Sequence, residues 1–136
     1  MGTTIRLFFD TRREGAWRSR HVLKHVRDYD FYGEIGFFGS KFIHEEASRE
    51  VPIRLGRPAG FAFPQNYNSI FEGDQPDDCC YWLTGKEMKA ALLRTIDVKE
   101  NKMNSFDASY ILLAEEITKR VEELGDENVR LVYWFV

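Results

Sequence analysis

Cysteine is almost missing from this chain, and its two residues, Cys79 and Cys80, are neighbours. That spacing builds neither a disulfide framework nor a spaced zinc pair. Long apolar runs are missing as well. Nothing approaches the ~18 consecutive apolar residues of a membrane span, so no membrane association is expected. The opening residues, MGTTIRLFFDTRR, lack a basic stretch leading into an apolar one, and Arg6 stands where an acylation signal carries Ser or Thr. A cytoplasmic protein is therefore expected. Proline is scarce and confined, occurring only at positions 52, 58, 64 and 76. Charge of one sign is also lacking: the net value is −3, which argues against broad binding to duplex nucleic acid, whose affinity scales with the phosphates neutralised.

What is present is enough apolar material for one core. The 136 residues are 43% hydrophobic and 15% aromatic, which excludes disordered and low-complexity classes and fits a single domain over residues 1–136. Residues 4–9 alternate as a strand, with Ile5, Leu7 and Phe9 on one face, and Arg13-Glu14-Gly15 supplies a turn into a second strand near 17–20. From Asp28 the spacing becomes helical through Phe31, Ile35 and Phe38, with Asp28 or Asp30 as cap. Gly33, Gly36 and Gly39 recur along another side, so either that helix is short or its smooth face receives another backbone. Residues 44–76 hold all four prolines and no period, and read as a long irregular segment, the kind of loop that carries function.

Further on, residues 79–83 read as a short buried strand. Thr84 with Glu87 forms a capping box for a helix through Met88, Ala91 and Leu92. A polar connector over 97–104 is expected to lead to a second helix, capped by Asn104 or Ser105, striped by Phe106, Tyr110, Leu113, Ile117, Val121 and Leu124, and ended by Gly125. Residues 129–136, with Arg130 their only charge, read as a central strand beside the first. The fold class that results is α+β: an antiparallel or mixed sheet of three to five strands with two or three helices packed on one face.

Several constellations bear on chemistry. Residues 1–68 carry +3 and residues 69–136 carry −6. Arg12, Arg13, Arg18, Arg20, Lys24 and Arg27 form a basic strip that is either a solvated surface or a phosphate-facing patch. His21 and His25 would share a face if helical, but lack the intervening glutamate of a metalloprotease motif and an evident third ligand. Asp74, Asp77 and Asp78 do not have the ligand order of a calcium loop. Neither a metal site nor a cofactor is expected, and no catalytic residues are assigned. The segment that offers recognition chemistry holds Arg54, Arg57, Phe61, Phe63 and Tyr67, beside Gln65, Asn66 and Asn68. Guanidinium groups grip phosphate, aromatic faces stack a base, and side-chain amides read its edge. The alternative is that Phe61 and Phe63 anchor the loop to the core while the arginines reach solvent.

Three stretches carry a resemblance. Residues 27–32, RDYDFY, resemble an R-N-Y-D-L-F segment; Tyr81-Trp82-Leu83-Thr84 with Glu87-Met88 resembles S-W-L-T-x-x-E-L; and residues 128–135, NVRLVYWF, resemble a V-R-I-V-F-W-F ending. In that order they are similar to a family of small uncharacterised bacteriophage and prophage proteins. Where that family often carries histidines before its Ser-Trp pair, this chain has Asp77-Asp78-Cys79-Cys80. The resemblance implies a phage accessory protein working in the cytoplasm of an infected or lysogenic bacterium. The expectation is a non-catalytic antagonist of a bacterial defence system, binding a host protein or sequestering a nucleotide-derived signal. The rival from another class is a small metal-dependent hydrolase or nuclease using Asp28, Asp30 and a nearby histidine. Self-association is a third expectation, motivated by the apolar end Tyr133-Trp134-Phe135-Val136 should it lie at an uncovered sheet edge.

Overall fold

The computed structural model describes residues 4–23, 26–36, 51–52, 54–64 and 80–135. Strands β1 (Ile5–Arg13) and β2 (Ala16–Val22) form a hairpin in which Arg13 pairs with Ala16. The two residues between them, Glu14 and Gly15, have φ of 52° and 80°. Positive φ at both positions gives the turn a twist that matches the strands, and glycine takes the second without strain. Helix α1 (Tyr29–Glu34) follows, then β3 (Tyr81–Thr84), α2 (Gly85–Asn101), α3 (Ser109–Leu124) and β4 (Val129–Phe135). The strands join in the order β2-β1-β4-β3, every neighbouring pair antiparallel. The protein is α+β, the antiparallel form of the expected sheet.

Alternation along β1 and β4 divides the sheet into two buried faces. Ile5, Leu7 and Phe9 with Val129, Leu131, Tyr133 and Phe135 point to the helices, where they meet Phe31, Met88, Leu92, Tyr110, Leu113 and Ile117. Phe8, Val132 and Trp134 point the other way, into a second cluster with Phe61 and Cys80. All seven residues of β4 are buried, because it lies between β1 and β3 and is covered above and below. β4 is thus a central strand, paired with β1 over Val129–Phe135 and with β3 over Arg130–Tyr133.

Helix ends follow local chemistry. The Asp28 carboxylate caps α1 by accepting from the amides of Asp30 and Phe31. Asp30 is not the cap. The helix is short, ending at Ile35, and Gly36 takes φ 103°; that settles the glycine repeat as far as it is described, Phe38 and Gly39 lying outside the described residues. The capping box at Thr84 and Glu87 is present in both directions. Gly85 opens α2 where a Cβ would stand 2.9 Å from Val129 and 3.0 Å from Val121, so that close approach needs glycine.

Two expectations are corrected. The connector expected over 97–104 is helical as far as Asn101, because buried Thr95 and half-buried Ile96 and Lys99 keep the last turns against the core. It closes with the Asn104 amide on the Lys99 carbonyl and the Met103 amide on that of Glu100, which places Met103 at φ 56°. Helix α3 then starts at Ser109 without a side-chain cap from Asn104 or Ser105; the Asp107 carboxylate accepts from the Ser109 amide instead.

Candidate functional site

The described part of the irregular segment, residues 51–52 and 54–64, has no helix and one isolated bridge, Leu55 to Tyr81; Val51 joins the helix-side core, while Phe61 and Phe63 cover the opposite face of the sheet. The Gly56 amide donates to the Cys80 carbonyl at 2.7 Å, laying the segment beside β3. Its phenylalanines lie on the strands. Phe61 is buried and edge-on to Phe8, with 5.7 Å between ring centroids, and Phe63 meets Phe8 at 5.7 Å and Trp134 at 5.8 Å between centroids, also edge-on. Beneath them Trp134, Phe8 and His21 stack nearly parallel, at 5.3 and 4.9 Å between successive centroids. Edge-to-face and offset stacking both suit the ring quadrupoles, so this layer adds to the burial of apolar area.

The arginines of the segment are engaged within the fold. Arg54 donates to both oxygens of Glu87, at 2.5 and 3.1 Å, with its guanidinium 4.6 Å from the centre of the Trp82 ring. Burial works to raise the Glu87 carboxyl, and the contacts from Arg54 and the Thr84 amide outweigh it, leaving it below the ordinary carboxylate range. Arg57 donates through Nε and Nη2 to the Phe61 carbonyl and lies over Phe61 and Phe63. The structure therefore brings together Arg57, Phe61 and Phe63, places Arg54 apart against Trp82 and Glu87, and leaves Tyr67 with Gln65, Asn66 and Asn68 outside the described residues. The large apolar side chain that the described segment holds outward is Leu55, 64% exposed.

Beyond Phe61 lies a pair that motif reading did not single out. Asp10, wholly buried in β1, faces Arg130 in β4, whose Nε donates to Asp10 Oδ2 at 2.8 Å. Arg130 also lies 3.6 Å from the centre of the Trp17 ring and donates from Nη2 to the Ala59 carbonyl. Asp10 Oδ1 has no partner among the described residues. Burial, with that oxygen unsatisfied, pushes the Asp10 carboxyl above its usual range despite Arg130. The available signal was the one acid of β1, directly after Leu7-Phe8-Phe9, and the one charge of β4.

The residues of the rival reading hold the architecture. Asp28 caps α1 and accepts from the Tyr110 hydroxyl at 2.7 Å, while Lys99 bridges Asp28 and Asp30 at 3.1 and 3.2 Å and Lys102 reaches Asp30 at 3.0 Å. Ammonium groups occupy the space between the carboxylates, and Lys102 foremost holds the Asp30 carboxyl below its usual range. Burial alone would lower the Lys99 ammonium; the two aspartates reverse that and raise it. His21 lies in a strand, so the helical pairing with His25 does not form; His25 and the acids at 74, 77 and 78 are outside the described residues. Among the described residues no group of three His, Cys, Asp or Glu is placed to hold a metal ion. The basic strip is partly neutralised by α3, where Arg13 meets Glu123 at 2.5 Å and Arg20 meets Glu116, and Arg12 donates to the uncharged Asn128 side chain. Among the described residues no helix is long and apolar enough to cross a membrane. In comparisons with known proteins, no family model matches the chain, and no characterised protein or solved structure matches it.

Proposed function

We propose that this chain is a non-catalytic accessory protein of bacteriophage or prophage origin that binds a host protein, antagonising a defence system, and that residues 51–64 carry the contact. The phage origin follows from the three resembling stretches. The observation that carries the binding reading is Leu55: an apolar side chain 64% exposed on backbone fixed from both sides, by Arg54 on Glu87 and Trp82 and by Gly56 on Cys80. A preformed apolar contact loses little entropy on association, which is what a binding anchor needs. Arg54 and Arg57 turn their donors to internal acceptors, which favours a protein partner over a nucleotide.

The test is quantitative capture from host lysate with the wild type, Leu55→Asp and, on the exposed side of α3, Glu122→Lys. Host proteins retained by the wild type and Glu122→Lys and lost with Leu55→Asp support the reading. The same set on all three baits overturns it.

A further inference from the structure

We infer that the outer edge of β2 takes an extended segment of another protein as an added strand, one that sets a carboxylate opposite Arg18 and an apolar side chain opposite Val22. This surface lies at the other edge of the sheet from Leu55 and does not rest on the reading above. In a hairpin with a two-residue loop the closing pair, here Arg13 and Ala16, exchanges both of its hydrogen bonds, and the pattern alternates from there. Ala16, Arg18, Arg20 and Val22 therefore bond to β1, while Trp17 and Ser19 turn their amides and carbonyls away from it. Those amides and carbonyls meet no partner among the described residues. Unpaired donors and acceptors along a strand that its own hairpin holds straight are the template for strand addition, in which main-chain bonds supply affinity and alternate side chains supply specificity.

The side chains of the edge select the occupant. Arg18, Arg20 and Val22 share the helix side of β2, in register with Thr11, Phe9 and Leu7. Arg20 is engaged by Glu116 and lies over the Phe9 ring, whereas Arg18 is exposed and meets no acid among the described residues. Because Arg13 meets Glu123 and Arg20 meets Glu116, α3 runs against β2, and Leu112, one turn before Glu116 and 64% exposed, stands beside the Val22 end of the strand. An added strand thus offers its acid to Arg18 and its apolar side chain to Leu112 on one and the same face. A second copy of this chain fits poorly. Pairing the whole of β2 with itself, antiparallel about Ser19, sets Arg18 against the partner's Arg20 twice over, and like charges directly opposite are destabilising.

The experiment uses the full chain, as wild type and as Arg18→Glu, and a fluorescein-labelled peptide, Thr-Leu-Thr-Thr-Val-Glu-Thr, with blocked ends, read by anisotropy. Laid antiparallel to β2, its leucine falls opposite Val22, its valine opposite Ser19 and its glutamate opposite Arg18. A second peptide carries lysine in place of the glutamate. The wild type is expected to prefer the glutamate peptide by roughly fivefold or more, the swing of a cross-strand pair from like to opposite charge, and Arg18→Glu to reverse that preference. N-methylation of the valine, whose amide faces Ser19, should abolish binding, while N-methylation of the glutamate, whose amide faces away, should leave it. Binding of neither peptide by the wild type overturns the inference, since an edge merely guarded by its charges behaves that way. So does a preference that Arg18→Glu leaves unchanged, binding that survives methylation of the valine, or a dimer of the wild type in light scattering that the glutamate peptide dissociates.

Discussion

Asp10 and Arg130 sit opposite one another on β1 and β4, the carboxylate wholly buried and the guanidinium nearly so, with a single 2.8 Å bond between them. Asp10→Val strands a buried cation whose remaining neighbours are the Ala59 carbonyl and the Trp17 ring. Arg130→Met strands a carboxylate that already has one unsatisfied oxygen. Either single change is expected to cost about 3–5 kcal/mol, because removing one member of a buried pair leaves the other desolvated and uncompensated. Replacing both with apolar side chains removes the two desolvation terms together and gives up the bond to Ala59, worth about 1 kcal/mol. The double variant is therefore expected within about 1 kcal/mol of the wild type or above it, which makes the coupling between the sites at least about 5 kcal/mol. Urea unfolding followed by circular dichroism, extrapolated linearly to water for all four proteins, measures it. Single costs that add to within about 0.5 kcal/mol would refute the reasoning, since independent sites behave that way.

Two further outcomes follow from particular contacts. Glu87 titrates below its ordinary value of 4.5 in the folded protein, so its ion pair with Arg54 contributes stability that is present above that value and lost as pH falls through the lowered one. The stability gap between the wild type and Glu87→Gln should accordingly narrow on acidification below 4.5, and a gap independent of pH in urea titrations would count against the pair. Met103, 93% exposed and at φ 56°, holds the left-handed position that ends α2. Met103→Gly should raise stability by about 1 kcal/mol, visible as a higher urea midpoint, because glycine adopts that conformation without a Cβ penalty.

The frame of the protein was readable in its residues to an uneven degree. Alternation in β1 and the nearly charge-free run of β4 were enough to pair the two strands, and the Thr84 and Glu87 spacing marked the start of α2, because each is set by neighbours within a few positions. The end of α2 was hidden, since its polar last turns are kept helical by Lys99 reaching Asp28 and Asp30 some seventy residues away. The arginines of the irregular segment carried the right chemistry for a ligand, yet their acceptors, Glu87 and the Phe61 carbonyl, depend on how the segment lies over the sheet. The Asp10–Arg130 pair was out of reach for the same reason: it exists through the register of two strands 120 positions apart. The reading of Asp28 as a structural group needed only the capping rule; Asp30 is not the cap, and its structural role comes from Lys99 and Lys102.

Hydrogen exchange of the chain, alone and bound to the host protein it retains, is the most direct measurement of where recognition resides. Slowed exchange concentrated in residues 51–64, with the outer faces of α2 and α3 unchanged, is the expected result. Protection confined to those helical faces, with the segment over the sheet exchanging as it does in the free protein, would contradict the account.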